Sequence, residues 1–136
     1  MARGRISILT PDECLALLTD ARLGRVGVTV ASLPEIFPVN FCVIDGDVVF
    51  RTGEGTKLHM ATREAVVAFE VDQFDVDSQC GWSVLVVGTC SEERDPNRVL
   101  DARRQLPDDW VPGDRDHVVR ITPHKVSGRR ISVPSA

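Results

Sequence analysis

The residues with the most chemistry in the least length are Arg51-Thr52-Gly53-Glu54-Gly55-Thr56-Lys57. Two glycines let a ligand approach the main chain closely, and N–H groups at such a turn form an anion cradle. Thr56 adds a hydroxyl, Lys57 a point charge and Arg51 a fork of donors. Phosphate is the ligand that fits this set. The GxxxxGK[ST] spacing of a Walker loop is absent, so the turn is not a P-loop. The alternative is an ordinary glycine turn with solvated charges. Of the 16 basic residues only Lys57 and Lys125 are lysines, which singles out the one in the turn.

Other constellations carry less. Gly81-Trp82-Ser83-Val84-Leu85 lacks the final glycine of a nucleophile elbow, so Ser83 is not expected to be a nucleophile. Asp72, Asp75 and Asp77 lack the glycine and closing glutamate of a calcium loop. His59, His117 and His124 form no HExxH, and none stands beside a cysteine at zinc-finger spacing, so no metal site is expected. Cys14, Cys42, Cys80 and Cys90 contain no CxxC pair and read as reduced thiols. Trp110 reads equally as a pocket-mouth or a core-closing aromatic. No nucleophile–histidine–carboxylate set appears, and no catalytic residue is assigned.

The elements that must position the glycine turn are mostly strands. Thr10-Pro11-Asp12-Glu13 is a capping box that starts a helix running to about residue 21. The hydrophobic period then changes from 3.6 to 2 through LGRVGVTV (23–30) and PVNFCVI (38–44). Asp45-Gly46 predicts a hairpin into VVFRT (48–52). A short helix is expected over 57–64, a strand over 66–72 and a polar loop over 72–80. WSVLVVGTC (82–90) is a strand with no polar face across 84–87, so it should be covered on both sides. A helix opening at Asp95-Pro96, a loop through DDWVPGDRD and a final strand region over 117–131, broken near Pro123, complete the chain. Closing about six antiparallel strands into a mainly β barrel removes their exposed edges.

The 136 residues form a single domain, 1–136, with no linker. A net charge of −4 disfavours general nucleic-acid binding, and no apolar run is long enough to span a bilayer. A cytoplasmic protein without nucleic-acid or membrane partners is the expectation.

The stretches LGRVGV, PVNFCVIDGDVVFRTGEGTKL, VAFEVD, GWSVLVVG and ITPHKVSGRRI are spread over most of residues 9–131. Together and in this order they resemble the pyridoxamine 5′-phosphate oxidase-like superfamily of FMN-binding split barrels. The resemblance is closest to its short branch related to nitroimidazole-resistance proteins. It implies a six-stranded antiparallel split β-barrel that dimerises with cofactor at the subunit interface. Thr56 and Lys57 would then hold the FMN phosphate, with Arg51 and Thr52 near the ribityl chain and ring. Asn40, flanked by Val39 and Phe41, would lie along the isoalloxazine. Ser83 would contact the flavin edge from the partner subunit, Trp82 would cover the ring, and Arg129 is a further candidate. The deazaflavin F420 is the alternative cofactor, since its ribityl-phosphate end is alike. The implied activity is electron transfer between a nicotinamide or reduced deazaflavin and a small acceptor. A non-catalytic flavin- or haem-binding module is the alternative. SGRRISVPSA lacks the Trp and His with which true pyridoxamine phosphate oxidases grip substrate, so that reaction is not expected.

Overall fold

The computed structural model describes residues 4–106 and 117–133 of the chain. A short strand, β1 (Arg5–Ile8), leads into α1 (Pro11–Asp20). Thr10 caps this helix reciprocally with Glu13: each side chain accepts from the other's main-chain N–H, at 3.2 and 3.0 Å. The period-two segment becomes β2 (Leu23–Val30) and β3 (Leu33–Ile44). Asp45 and Gly46, both left-handed, make the two-residue turn into β4 (Asp47–Thr52). A single helical turn, α2 (Lys57–Ala61), precedes β5 (Val66–Asp75) and β6 (Cys80–Glu92). Asp95 then caps α3 (Pro96–Gln105), and β7 (His117–Ser132) ends the described chain.

Every pairing is antiparallel, in the order β1-β7-β4-β3-β2-β5-β6, and β6 pairs back onto β7. Six strands therefore close a barrel, as expected, and β1 is a seventh strand outside the ring. It pairs with the far end of β7, from Arg5↔Ser132 to Ile8↔Arg129. Sequence reading missed it because Ile6 and Ile8 are exposed and carry no core pattern. No helix among the described residues is long and apolar enough to cross a membrane.

Three other expectations shift in detail. The polar loop over 72–80 is mostly strand, because β5 and β6 pair out to Asp75↔Cys80. Residues 72–79 are exposed there, so this ribbon has no buried face to impose alternation. β3 begins at Leu33 rather than Pro38, since 33–38 pair with β2 despite two prolines. The final strand is continuous through Pro123, and the irregularity is a bulge. Val87 pairs with Lys125 and Gly88 with Pro123, leaving His124 as the extra residue. Gly88 is required at that point, because a Cβ there would sit 2.2 Å from the Thr122 carbonyl oxygen.

The inward residues of the strands form the core, including Val26, Phe41, Phe50, Phe69, Val86 and Ile121. Phe41 and Phe69 meet edge-to-face, with centroids 4.8 Å apart. A smaller cluster forms outside the barrel, where α3 lays Ala102 and Leu106 on Val49 and Val118.

Candidate functional site

Strand β4 alternates Phe50 and Thr52 inward with Arg51 outward, then delivers the chain into the glycine turn. Thr56 organises that turn. Its hydroxyl donates to the Gly53 carbonyl at 2.8 Å and accepts from the His59 N–H at 3.1 Å, capping α2. Gly55 takes the left-handed conformation, φ +71°, and a Cβ there would meet nothing within 4 Å. The turn is thus open towards solvent at the position where a ligand would approach.

Lys57 stands at the first position of α2 with its side chain 70% exposed. Its Nζ lies 3.7 Å from a Glu35 carboxylate oxygen, a loose ion pair in a solvated setting. α2 has five residues, so its dipole adds little, and Lys57 is the main charge offered. Thr56 differs from expectation in one respect. Its hydroxyl proton already serves Gly53, so toward an anion it must either turn or offer its main-chain N–H, which now donates to the Gly53 carbonyl at 3.3 Å.

The remaining residues singled out from sequence fall into two sets. Val39, Phe41 and Thr52 are buried in the barrel, and Trp82 packs partly against the same core. Asn40, Arg51, Ser83 and Arg129 belong to the outer side, by strand alternation. Asn40 and Arg51 lie one residue beyond the paired Phe41↔Phe50, on neighbouring strands. Ser83 sits between Asp72 of β5 and Arg129 of β7. Trp82 and Ser83 are consecutive in β6 and so point to opposite faces; Trp82 instead lines a pocket of about 540 Å³ with Gln73, Phe74 and Arg130. Trp110 lies outside the described residues.

The outer face carries an apolar row, Ile36↔Gly27↔Ala68↔Val87, set by the strand register. Ile36 is 71% exposed, and Val66 and Leu85 add further exposed apolar surface on the same face. Beside the row, Arg25 reaches Glu70 at 3.3 Å and Asp72 at 3.5 Å. Burial, then the neighbouring Asp72, pushes the Glu70 carboxyl up to about 7, while Arg25 opposes the shift.

A group that sequence reading did not assemble lies beside the glycine turn. His117 pairs with Thr52 across the β4–β7 ladder, which brings it over His59; the two rings stack with centroids 4.2 Å apart. The His117 Nδ1 lies 3.1 Å from Glu92 Oε1, and its Nε2 contacts Glu54 Oε2. Hydrogen bonds to Glu54 and then Glu92 hold the His117 pKa above the usual histidine value. His59 Nδ1 lies 3.0 Å from the buried Thr52 hydroxyl. Glu54, His59 and His117 each offer a ligand atom, all within 4.8 Å of one another. Local spacing could not show this, since 63 residues separate Glu54 from His117.

Comparison with known proteins agrees with this architecture. The family model described as pyridoxamine 5′-phosphate oxidase matches residues 10–130. An uncharacterised protein of Mycobacterium tuberculosis is 42% identical over 93% of this chain and 86% of its own. The FAD binding protein from Mycobacterium smegmatis is similar in structure, with a TM-score of 0.73 and 38% identity, covering 93% of this chain and 98% of that one. A FAD-binding protein from Mesorhizobium loti has a TM-score of 0.84 over 96% of this chain and 99% of that one. At 24% identity it bears on the fold alone.

Proposed function

The chain belongs to the pyridoxamine 5′-phosphate oxidase family, and from that premise we propose that it binds a flavin nucleotide and acts as an oxidoreductase. The observation that carries the proposal is the turn after β4. An exposed Lys57 stands beside an open, left-handed Gly55, and Arg51 precedes them on the outer side of the strand. The phosphate next to a ribityl chain is the group this turn fits. FMN, FAD and F420 all carry it. The similarity to the FAD binding protein of Mycobacterium smegmatis supports a flavin among these.

When bound, such a cofactor supplies the hydride or electron transfer, taking reducing equivalents from a nicotinamide or reduced deazaflavin and passing them to a small acceptor. The chain's own residues bind and orient. Lys57 neutralises phosphate charge, and Arg51 adds a second cation from the outer side of β4. Asn40 and Ser83 offer hydrogen-bonding groups on the outer face for a ring edge. Val39, Phe41 and Thr52 pack in the core beneath that face.

The apolar row through Ile36, Gly27, Ala68 and Val87 supports a homodimer in which a second copy covers this face. Ser83 and Arg129 would then serve the partner's cofactor. Light scattering at micromolar concentration tests the assembly, and a stable monomer would remove it. Stopped-flow mixing of the cofactor-loaded protein with NADPH tests the enzyme assignment. Bleaching of the flavin absorbance is expected, and no reduction by NADPH or reduced F420 would reject an electron-transfer role.

A further inference from the structure

We propose that Glu54, His59 and His117 bind one divalent transition-metal ion of the zinc type, at the foot of the glycine turn. The proposal does not rest on the flavin reading. Two imidazoles and a carboxylate with ligand atoms within 4.8 Å of one another are a three-ligand zinc set, which leaves a fourth tetrahedral position for water or another ligand. Zinc–nitrogen bonds of about 2.0–2.1 Å put tetrahedral ligand atoms roughly 3.3 Å apart, so the side chains must close in slightly. Glu54 already contacts His117, so the closing-in falls to the stacked His59 and His117 rings, which must tilt to aim both nitrogens at one ion.

The surrounding bonds separate this cluster from a chance meeting of polar groups. Metal-binding imidazoles engage their far nitrogen in a hydrogen bond that fixes ring and tautomer. Both rings do so here, His59 through the Thr52 hydroxyl and His117 through Glu92. His59 is only 9% exposed, and its Nε2 has no hydrogen-bond partner among the described residues. That nitrogen is left as a donor to a ligand. The His117 Nε2 already faces Glu54, and a cation would replace the proton they share. The mixed nitrogen and oxygen donors suit zinc, cobalt or nickel, whereas magnesium and calcium favour oxygen throughout.

The test is calorimetric titration of zinc ion into the full chain after chelator treatment, with elemental analysis for stoichiometry. One equivalent should bind. Glu54→Gln and His117→Ala should each weaken binding by more than about 100-fold, because even the outer partners of metal ligands are worth 10- to 100-fold. Thr52→Val should fall within that outer-partner range, and His124→Ala, remote from the cluster, should change nothing. Glu54→Gln alters an exposed side chain and keeps the test valid if a histidine variant fails to fold. Absence of zinc binding at micromolar concentration would overturn the proposal. So would binding insensitive to Glu54→Gln, or binding lost with His124→Ala.

Discussion

Lys57→Ala separates a phosphate site from a plain glycine turn, because its effects on fold and on ligand differ in size. In the free protein Lys57 makes one ion pair among the described residues, to Glu35 at 3.7 Å, with the lysine side chain 70% exposed. Exposed pairs are worth about 0–1 kcal/mol, so stability should change by no more than that. A hydrogen bond to a charged group contributes about 1.5–3 kcal/mol, so losing it should weaken FMN binding by about 10- to 150-fold. Riboflavin has the same ring and ribityl chain without the phosphate. Its affinity should be nearly equal for both proteins. Lys57→Arg should recover much of the loss, since it restores the charge. Fluorescence titration of both ligands into the three proteins reads these quantities directly. Unchanged FMN affinity in the alanine variant would refute a phosphate contact. An equal loss of riboflavin affinity would show damage to the turn rather than to a phosphate site.

Three further outcomes follow from the geometry. Thr52→Val keeps the shape of a fully buried side chain but leaves His59 Nδ1 without its partner, so unfolding free energy should fall by about 1–3 kcal/mol; an unchanged urea midpoint would refute the structural weight given to this bond. Gly88→Ala places a methyl group 2.2 Å from the Thr122 carbonyl oxygen and forces strand against strand, at about 1–3 kcal/mol or more; a midpoint matching the parent would mean the bulge is misplaced. His117 has a raised pKa in the folded chain, so its stabilising contribution is complete below about 6.5 and is lost as pH rises through the folded value. Urea midpoints of metal-free protein should therefore decline as pH rises from about 6.5 through the raised folded value, and His117→Gln should flatten that part of the profile; parallel profiles would contradict the assignment.

The strands were legible wherever one face is buried. Val26 and Val28 alternate inward from β2, and Phe41 and Phe50 pair across the β3–β4 hairpin that Asp45-Gly46 announces. The α1 cap was legible because Thr10 and Glu13 interact across three residues. Elements without a buried face were not. β1 and the outer end of the β5–β6 ribbon are exposed and leave no periodic trace. The same rule sorts the site. The glycine turn is local and could be read residue by residue. Its companions depend on sheet register, which places Ser83 between Asp72 and Arg129 but turns Trp82 to the other side. The His59–His117 stack is the extreme case. It exists because Thr52 pairs with His117 at the end of a ladder between distant segments.

The central claim is that this barrel holds a flavin nucleotide at the turn after β4. The visible absorption spectrum of the purified full chain, read before and after addition of FMN and FAD, tests it most directly. Flavin bands are expected, either retained through purification or restored by stoichiometric addition, with release of the intact nucleotide on denaturation. A colourless protein that takes up neither FMN nor FAD at micromolar concentration would contradict it.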